Sequence, residues 1–294
     1  MTGFIFLDKP EGITSFTAVN KVRRICSVKK AGHTGTLDPM ATGVLPIMLG
    51  GATRFSQYLP THDKTYRAKI RLGTVTDTLD MTGTILEQND VHVTQQDIEF
   101  ILPQFIGNIK QYPPMYSAVS KDGVRLYQLA RQGIEVEREA RDITIYSMDM
   151  ISGLCDREFE IEVSCSAGTY IRSLAADIGE ALGCGAVLSA LRRTSANGID
   201  ISQTVTMDEL ADLAAQDKLQ KVLNDCDGML ACYPKICVSE KQSSRFSNGG
   251  ELDIIRIKGE VPNGICRVYS PDDTLLGLGN AENGVIKVEK LLVR

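Results

Sequence analysis

The sequence lacks the features that mark membrane, secreted and metal-dependent proteins. It contains no run of about eighteen apolar residues, and no basic segment followed by an apolar core opens the chain, so neither a membrane span nor a secretion signal is predicted. The eight cysteines form no Cys-x-x-Cys pair, and His33, His62 and His92 are far apart, so no metal site is predicted. Gly-x-Gly-x-x-Gly and Walker patterns are also absent. We therefore expect a cytoplasmic protein whose cysteines are mostly reduced and buried.

The net charge of −5 is unevenly distributed along the chain. Residues 1–72 contain eleven Lys and Arg against four Asp and Glu, a local charge of +7, so the remainder carries −12. Phosphate binding depends on nearby cations rather than on the total charge. The N-terminal quarter could therefore form a nucleic-acid-binding face, although charge alone is equally compatible with a solvated basic surface.

Local patterns near the N-terminus predict a strand, a turn and a helix. Phe4–Leu7 is a short apolar run, and Asp8–Gly12 breaks it. Thr14 or Ser15 can then cap a helix with four apolar residues on one face: Phe16, Val19, Val22 and Ile25. Basic residues occupy its other faces and continue directly after it.

Two later segments alternate with the period of a strand. Tyr66, Ala68, Ile70 and Leu72 share one face of the first, and the second covers 158–165. A Gly-Thr turn then leads into a helix beginning near Tyr170, with Arg172 in its first turn. A cation there opposes the helix dipole, so we expect it to pair with a carboxylate.

The chain changes character after Pro234. Thr206 and Glu209 fit a capping box that begins the last helix of the larger domain. Beyond it, short apolar stretches alternate with Asn-Gly and Pro-Asp-Asp turns, as in a small β-barrel or sandwich; they are Asp253–Ile257, Ile265–Tyr269, Leu275–Leu278 and Val285–Leu292. We predict a larger domain over residues 1–234 and a second domain over 235–294.

The most informative segment is His33–Pro39, which places Asp38 in a loop between basic sequence and an apolar strand. An aspartate in a turn usually bonds its own backbone. Asp38 is nevertheless a candidate nucleophile, because its carboxylate lies in a loop bounded by glycine and proline.

Taken together, the motifs resemble the bacterial tRNA pseudouridine-55 synthase family, TruB. The resemblance spans residues 3 to 194 and rests on ordered blocks: Asp8–Pro10 with Gly12 and Ser15, Gly32–Leu45, Lys64–Arg67, Leu72–Gly73 with Thr76–Thr78 and Asp80, Pro113–Ala118, Gly168–Leu174 and Leu191–Arg193. The sequence departs from the family pattern at Ser120, where a lysine is expected and Lys121 follows one place later. The segment after Cys237 resembles, more weakly, a PUA domain, which is an RNA-binding β-barrel.

The resemblance implies an α+β fold, with a large mixed, mainly antiparallel sheet flanked by helices and a small PUA-like C-terminal β-barrel. It implies isomerisation of uridine 55 in the tRNA T-arm to pseudouridine without a cofactor. We also expect a monomer that needs no membrane or protein partner. The catalytic residues would be Asp38, Tyr66 and Arg172, because chemistry at a sugar C1′ needs an ionised carboxylate nearby, and an adjacent guanidinium would favour its charged form and orient it. Residues expected to contact the flipped base are His33, Tyr66, Tyr170 and Leu191, and those expected to contact RNA phosphates or loops are Lys9, Lys64, Arg67 and Arg192.

Several alternatives stay open at this stage. Asp38 could attack the sugar, attack the uracil ring, or assist elimination to a glycal. Tyr66 could stack on the base or act as a general base, and stacking is the safer role because a phenol is a poor base at neutral pH. A protein that only opens the T-arm would not need Asp38. A hydrolase would pair Asp38 with Asp77 or Asp80 and release free uracil.

Overall fold

The computed structural model describes residues 1–117, 119–121 and 123–292. Ala118 of the Pro113–Ala118 motif and the side chain of Lys121 lie outside this described part of the chain. Two main sheets, of nine and five strands, form the molecule together with seven α-helices in the described residues. No helix there is both long and apolar enough to cross a membrane.

The nine-stranded sheet is mixed and mainly antiparallel, as predicted. Its strand order is β1-β3-β12-β4-β11-β10-β7, with β2 paired to β3 and β13 to β12, and only β3 and β12 run parallel. The strands are β1 (Gly3–Lys9), β2 (Ala31–His33), β3 (Thr42–Leu49), β4 (Lys64–Leu72), β5 (Thr74–Thr76), β6 (Ile85–Gln88), β7 (Gly107–Gln111), β8 (Ser120–Lys121), β9 (Val124–Arg125), β10 (Arg141–Cys155), β11 (Glu158–Cys165), β12 (Ala186–Ala196) and β13 (Ile199–Asp200). β5 pairs with β6 and β8 with β9, each as a separate two-stranded ribbon.

Helices cover one face of this sheet, because buried apolar residues alternate with more exposed residues along strands such as β4 and β11. In β4 the four residues predicted to face inward, from Tyr66 to Leu72, are all buried, and they pack in one core with helical residues such as Leu174 and Leu210. The helices are α1 (Ser15–Ile25), α2 (Gln95–Ile101), α3 (Leu126–Ala130), α4 (Ile171–Ala181), α5 (Met207–Ala215), α6 (Cys226–Met229) and α7 (Glu240–Ser247). The caps predicted at Thr14 and at Thr206 with Glu209 are both formed.

The five-stranded sheet packs on the opposite face of the large sheet. Its order is β14-β16-β17-β18-β15, built from β14 (Lys235–Cys237), β15 (Leu252–Asp253), β16 (Gly264–Tyr269), β17 (Leu275–Glu282) and β18 (Val285–Leu291). Phe4 and Phe6 of β1 share a core with Tyr269 and Leu278, whereas Ile5 and Leu7 face the helices. β1 is therefore buried on both faces, which explains its unbroken apolar run.

Two local predictions are wrong. Phe16 is 74% exposed, because α1 turns Ala18, Val19 and Val22 toward the sheet instead. Asp253–Ile257 is not one strand, since only its first residue belongs to β15 and a 3-10 turn follows over Ile254–Arg256. All eight cysteines are free thiols, and five of them are buried.

Candidate active site

Two contacts from the start of the chain fix the loop that carries Asp38. The Ser15 hydroxyl, at the first residue of α1, donates to the Leu37 carbonyl at 2.9 Å and accepts from the Leu37 amide at 2.8 Å. The Lys9 ammonium, at the end of β1, donates to the Pro39 carbonyl at 3.4 Å and to two carbonyls of the β1–α1 turn at 2.8 Å each. These hydrogen bonds therefore hold the backbone on both sides of Asp38, and they fix the direction of its carboxylate before a substrate binds.

The predicted ion pair between Asp38 and Arg172 is present. Arg172 Nε lies 2.9 Å from Asp38 Oδ2, and Nη2 lies 3.3 Å from Oδ1, so the guanidinium meets both carboxylate oxygens. The remaining donors of Arg172 reach the carbonyls of Thr78 at 3.0 Å and Tyr116 at 2.8 Å. The Arg172 side chain is 5% exposed and that of Asp38 is 34% exposed. A buried cation thus presents a carboxylate that solvent or a ligand can reach.

A second carboxylate, Asp80, lies behind the pair. Asp80 Oδ2 is 3.9 Å from Arg172 Nε, and Asp80 Oδ1 accepts from the hydroxyls of Thr78 at 2.8 Å and Thr82 at 2.6 Å. Burial raises the pKa of the Asp38 carboxyl, Asp80 adds to the rise, and Arg172 opposes it. The guanidinium therefore limits, but does not abolish, the desolvation cost of ionising Asp38.

Tyr66 lies on β4 beside this loop and is buried. In the sheet register it is the direct cross-strand partner of Arg193 on β12. Burial raises the pKa of the Tyr66 phenol, and the Arg193 charge acts in the opposite direction. Asp38 is close enough to raise that pKa as well, which brings Asp38, Tyr66 and Arg172 into one neighbourhood.

The other residues predicted to contact the base occupy different surroundings. His33 ends β2, its Nδ1 is buried without a hydrogen-bond partner among the described residues, and burial lowers its pKa. Tyr170 is half-buried at the N-cap of α4, where the side-chain amide of Gln111 bonds both its amide and its carbonyl. Leu191 is buried in the main core opposite Ala68. Their contacts with a base stay a prediction.

One of the four predicted RNA contacts is wrong. Lys9 is fully buried, burial lowers its pKa to about 8, and three carbonyls take its hydrogen bonds, so it cannot reach a phosphate. Lys64 is half-buried and donates to the His62 carbonyl at 2.7 Å. Arg67 and Arg192 line one surface groove and stay accessible.

The two groove arginines are each paired with an acid. Arg67 Nε lies 3.0 Å from Glu162, and Arg192 Nη2 lies 2.7 Å from Asp8. An RNA phosphate would compete with these carboxylates for the guanidinium groups. Lys64, Arg67 and Arg192 therefore stay predictions as RNA contacts.

Sequence reasoning missed the supporting roles of three residues. It offered Ser15 only as a possible helix cap, Asp80 only as the second carboxylate of a hydrolase, and Arg193 only as the end of the Leu191–Arg193 block. Arg193 is fully buried and donates to the carbonyls of Gly35 and Thr36 in the Asp38 loop, at 3.2 and 3.4 Å. A buried-face position on an alternating strand is the only signal that could have separated Arg193 from the exposed Arg192.

The arrangement has the parts that chemistry at a glycosidic carbon needs. One accessible carboxylate is oriented by a bidentate guanidinium, and the aromatic hydroxyl of Tyr66 lies on β4, two strands from β3. A glycosidase of the usual kind needs a second carboxylic acid facing the substrate. Asp80 does not fit that role, because it is 5% exposed and its oxygens face Arg172 and two threonine hydroxyls.

Comparisons with known proteins cover nearly the whole chain. Residues 23–171 match the family model for the N-terminal domain of TruB family pseudouridylate synthases, residues 172–231 the model for the tRNA pseudouridylate synthase B C-terminal domain, and residues 234–292 the model for the C-terminal part of pseudouridine synthase II TruB. A protein of Burkholderia pseudomallei (strain 668) named tRNA pseudouridine synthase B is 44% identical, over 100% of this chain and 97% of that protein. Its namesake in Clostridium perfringens (strain 13 / Type A) is 43% identical, over 100% and 99%.

Solved structures agree on the fold. A chain from a structure titled as a Cbf5-Nop10-Gar1 complex superposes with a TM-score of 0.73 at 28% identity, covering 99% of this chain and 85% of the other. A chain from an archaeal box H/ACA sRNP Nop10-Cbf5 complex gives a TM-score of 0.70 at 27% identity, covering 99% and 86%. The predicted fold class, a mixed sheet with a small C-terminal β-domain, is confirmed.

Proposed function

The chain belongs to the TruB family of pseudouridine synthases, and we propose that it isomerises uridine 55 of the tRNA T-arm to pseudouridine with Asp38 as the reacting carboxylate. The reaction breaks the bond between uracil N1 and C1′ of the ribose and joins C5 to C1′ instead. A proton leaves C5 and N1 gains one, so the product has the mass of the substrate.

The observation that supports this proposal is the asymmetric exposure of the Asp38–Arg172 pair. A surface ion pair would expose both partners, and a structural buried pair would hide both. Here the cation is buried and also bonded to two carbonyls, while the carboxylate keeps an open side. Such an arrangement positions a reactive oxygen before the substrate arrives, which lowers the reorganisation needed during reaction.

The remaining roles follow from position. The target base must leave its stack, at a cost of a few kcal/mol, before Asp38 can reach its ribose. Tyr66 stacks on the extruded uracil, His33 and Tyr170 contact it, and Leu191 contributes an apolar wall. Asp38 acts by attack on C1′, attack on the ring, or assistance of glycal formation, and each of these requires its ionised form.

The protein's setting is also part of the proposal. It acts in the cytoplasm as a monomer without a protein partner or cofactor, on the T-arm of tRNA. Residues 1–234 form the catalytic unit and 235–294 a PUA-like RNA-binding unit, and Lys64, Arg67 and Arg192 contact the RNA. Light scattering of the purified protein, alone and with tRNA, tests the monomer, and activity of that sample on a tRNA transcript tests the need for a partner.

The central test replaces Asp38 by Asn, which keeps the shape and removes the charge. We expect tritium release from a tRNA transcript containing 5-tritiated uridine to fall by at least about 10³-fold, because the substitution removes the reacting group. Asp90→Asn serves as the control, since Asp90 is exposed in a loop outside the site. Wild-type rates in Asp38→Asn would contradict the assignment of Asp38 as the reacting group, whereas a wild-type protein that binds tRNA and releases no tritium would favour a protein that only opens the T-arm.

Mass spectrometry of the digested product separates the isomerase from a hydrolase. Isomerisation leaves the nucleoside mass unchanged, whereas hydrolysis releases uracil and leaves an abasic site. We expect an unchanged mass, together with a carbodiimide-dependent primer-extension stop at position 55. Free uracil would overturn the assigned reaction.

A further inference from the structure

Arg193 is a buried cation without an acidic partner. Its side chain is 0% exposed, and none of the ion pairs among the described residues includes it. Its hydrogen bonds go instead to carbonyl oxygens of Val44, Gly35 and Thr36, at 2.7, 3.2 and 3.4 Å. Buried charges are normally paired, because leaving one unpaired is strongly unfavourable. An unpaired guanidinium at this position therefore indicates a use for its charge.

The fold places that charge at the centre of the site. Arg193 lies in the register opposite Tyr66 on one side and opposite Gly43 on the other. Gly43 has a φ of +103°, and a Cβ there would lie 2.2 Å from the Arg193 carbonyl, so only glycine allows β3 to approach so closely. Directly paired residues in adjacent strands have their Cβ atoms about 5 Å apart on the same face. The guanidinium therefore shares its buried face of the sheet with the Tyr66 side chain.

We infer that Arg193 is a positioning residue for pseudouridine formation: it holds the Asp38 loop by two carbonyls and places an uncompensated positive charge beside the Tyr66 phenol, stabilising the phenolate that takes the C5 proton. This inference rests on the proposed function and adds a residue and a step to it.

Each proton and electron pair in that step can be followed. Once C5 is bonded to C1′, N1 takes the proton of the Tyr66 phenol, and the phenolate that this leaves takes the C5 proton. The C–H electron pair restores the C5–C6 double bond, and the electrons of the former C6–N1 double bond move to N1. Tyr66 and Arg193 then have their starting charges, and no further reactant is consumed.

The surroundings of Tyr66 explain why a cation is needed. Burial raises the pKa of the phenol, and Cys165 on β11 and the Asp38 carboxylate add to the rise. The positive charge of Arg193 on β12 opposes this rise. Without Arg193, each neighbouring charge and the burial itself would disfavour the phenolate. Tyr66 would then be restricted to stacking.

The test compares two substrates, of which only one has a C5 proton to lose. Single-turnover rates are measured for tritium release from 5-tritiated uridine tRNA and for conversion of 5-fluorouridine tRNA to its C5-linked isomer. In Arg193→Gln the loss of the loop contacts should slow both conversions, and we expect tritium release to fall about 10²-fold further than the conversion of 5-fluorouridine tRNA. Arg71→Gln, on the exposed face of the strand that carries Tyr66, should change neither rate.

Parallel loss of both rates in a folded Arg193→Gln protein would overturn the inference, because Arg193 would then act only by holding the loop. Arg193→Lys keeps the charge without the planar fork and is the second variant, should the glutamine variant not fold. It should release tritium at least about tenfold faster than Arg193→Gln or, if the glutamine variant does not fold, within about tenfold of wild type. A slower rate would contradict the role of the charge. Wild-type protein that makes no pseudouridine would refute the proposed function itself, so the two failures are distinguishable.

Discussion

At the scale of single residues, the site depends on the Asp38 carboxylate, whose pKa is subject to opposing effects of its surroundings. Burial and the neighbouring Asp80 raise the pKa of Asp38, and Arg172 lowers it. The mechanism needs the ionised carboxylate, so Arg172 serves both geometry and charge. A fully exposed aspartate would ionise more readily but would have no fixed direction.

This balance predicts the acid side of the pH profile. Because the pKa of Asp38 lies above its ordinary 3.8, single-turnover activity should be complete well above that pKa and should be lost as the pH falls through it. Replacing Arg172 by Gln removes the lowering influence, so the midpoint of the acid limb should move to higher pH while the maximal rate falls. Rates are measured from pH 4 to 8, with circular dichroism to exclude unfolding.

Arg71→Gln is the matched control for this prediction, because it removes an arginine that pairs with Glu158 on the exposed side of β4. Its acid limb should coincide with that of wild type. An unchanged midpoint in Arg172→Gln would mean that a group other than Asp38 limits the rate in acid.

Prediction of single residues from the sequence succeeded where a residue broke a local rule, and it failed where the burial of a side chain decided its contacts. Arg172 opposes a helix dipole, which indicated a carboxylate partner, and the Asp38–Arg172 pair is present. Lys9 follows an apolar strand and looks like a surface cation, yet it is fully buried. Nothing in the order of residues shows that three carbonyls converge on its ammonium group.

At the scale of elements, the start of α1 and the loop that carries Asp38 form one unit. The Ser15 hydroxyl bonds both the amide and the carbonyl of Leu37, as a neighbouring strand would. Thr14 caps the same helix by accepting from the Thr17 amide. Helix α1 is therefore the support on which the loop conformation depends.

Ser15→Ala tests this dependence. Removal of the hydroxyl leaves the buried amide and carbonyl of Leu37 without these bonds, so we expect a loss of about 1–3 kcal/mol in the free energy of unfolding. The single-turnover rate should fall more than tRNA affinity, because the carboxylate direction is disturbed rather than the RNA surface. Urea denaturation measures the free energy of unfolding, single-turnover tritium release measures the rate, and filter binding measures the tRNA affinity.

Ser244→Ala, on the exposed side of α7, is the control and should stay within about 0.5 kcal/mol of wild type. A Ser15→Ala protein with wild-type stability and rate would show that the loop holds its conformation without α1.

Alternation predicted the central strands well because one face of each is buried. β4 and β11 follow the pattern through most of their length. Phe16 fails because a 3.6-residue period admits more than one apolar face, and the packed face was chosen by contact with the sheet. Asp253–Ile257 fails because its Asp253 side chain accepts from the Ile255 amide and turns the chain.

At the scale of the whole molecule, strand order brings the site together from distant parts of the sequence. Asp38, Tyr66, Arg172 and Arg193 belong to four separate segments, and the parallel contact between β3 and β12 closes the arrangement. No local pattern gives a strand order, so the fold class follows from the family resemblance, and the neighbours of each strand are seen only in the structure. The ion pair that joins α6 to the five-stranded sheet, with Arg267 Nη1 2.6 Å from Asp227 Oδ1, was likewise not predictable.

The uneven charge of the chain leads to a prediction about salt. If the basic N-terminal quarter faces the RNA, each phosphate contact releases counterions, and tRNA affinity should fall linearly on a log–log plot against salt concentration. Lys29 and Lys30 follow α1 directly and are exposed. Replacing both by Gln should reduce the magnitude of the slope by about one to two. Fluorescence anisotropy between 50 and 200 mM salt measures it.

Lys218→Gln with Lys221→Gln removes the same charge from the acidic remainder of the chain, where both lysines are also exposed. This control separates a local basic face from a simple dependence on net charge. If both double variants reduced the slope equally, the RNA would respond to total charge, and the N-terminal quarter would have no special role in binding. A reduction confined to Lys29 and Lys30 would place the tRNA backbone beside the helix that also fixes the Asp38 loop.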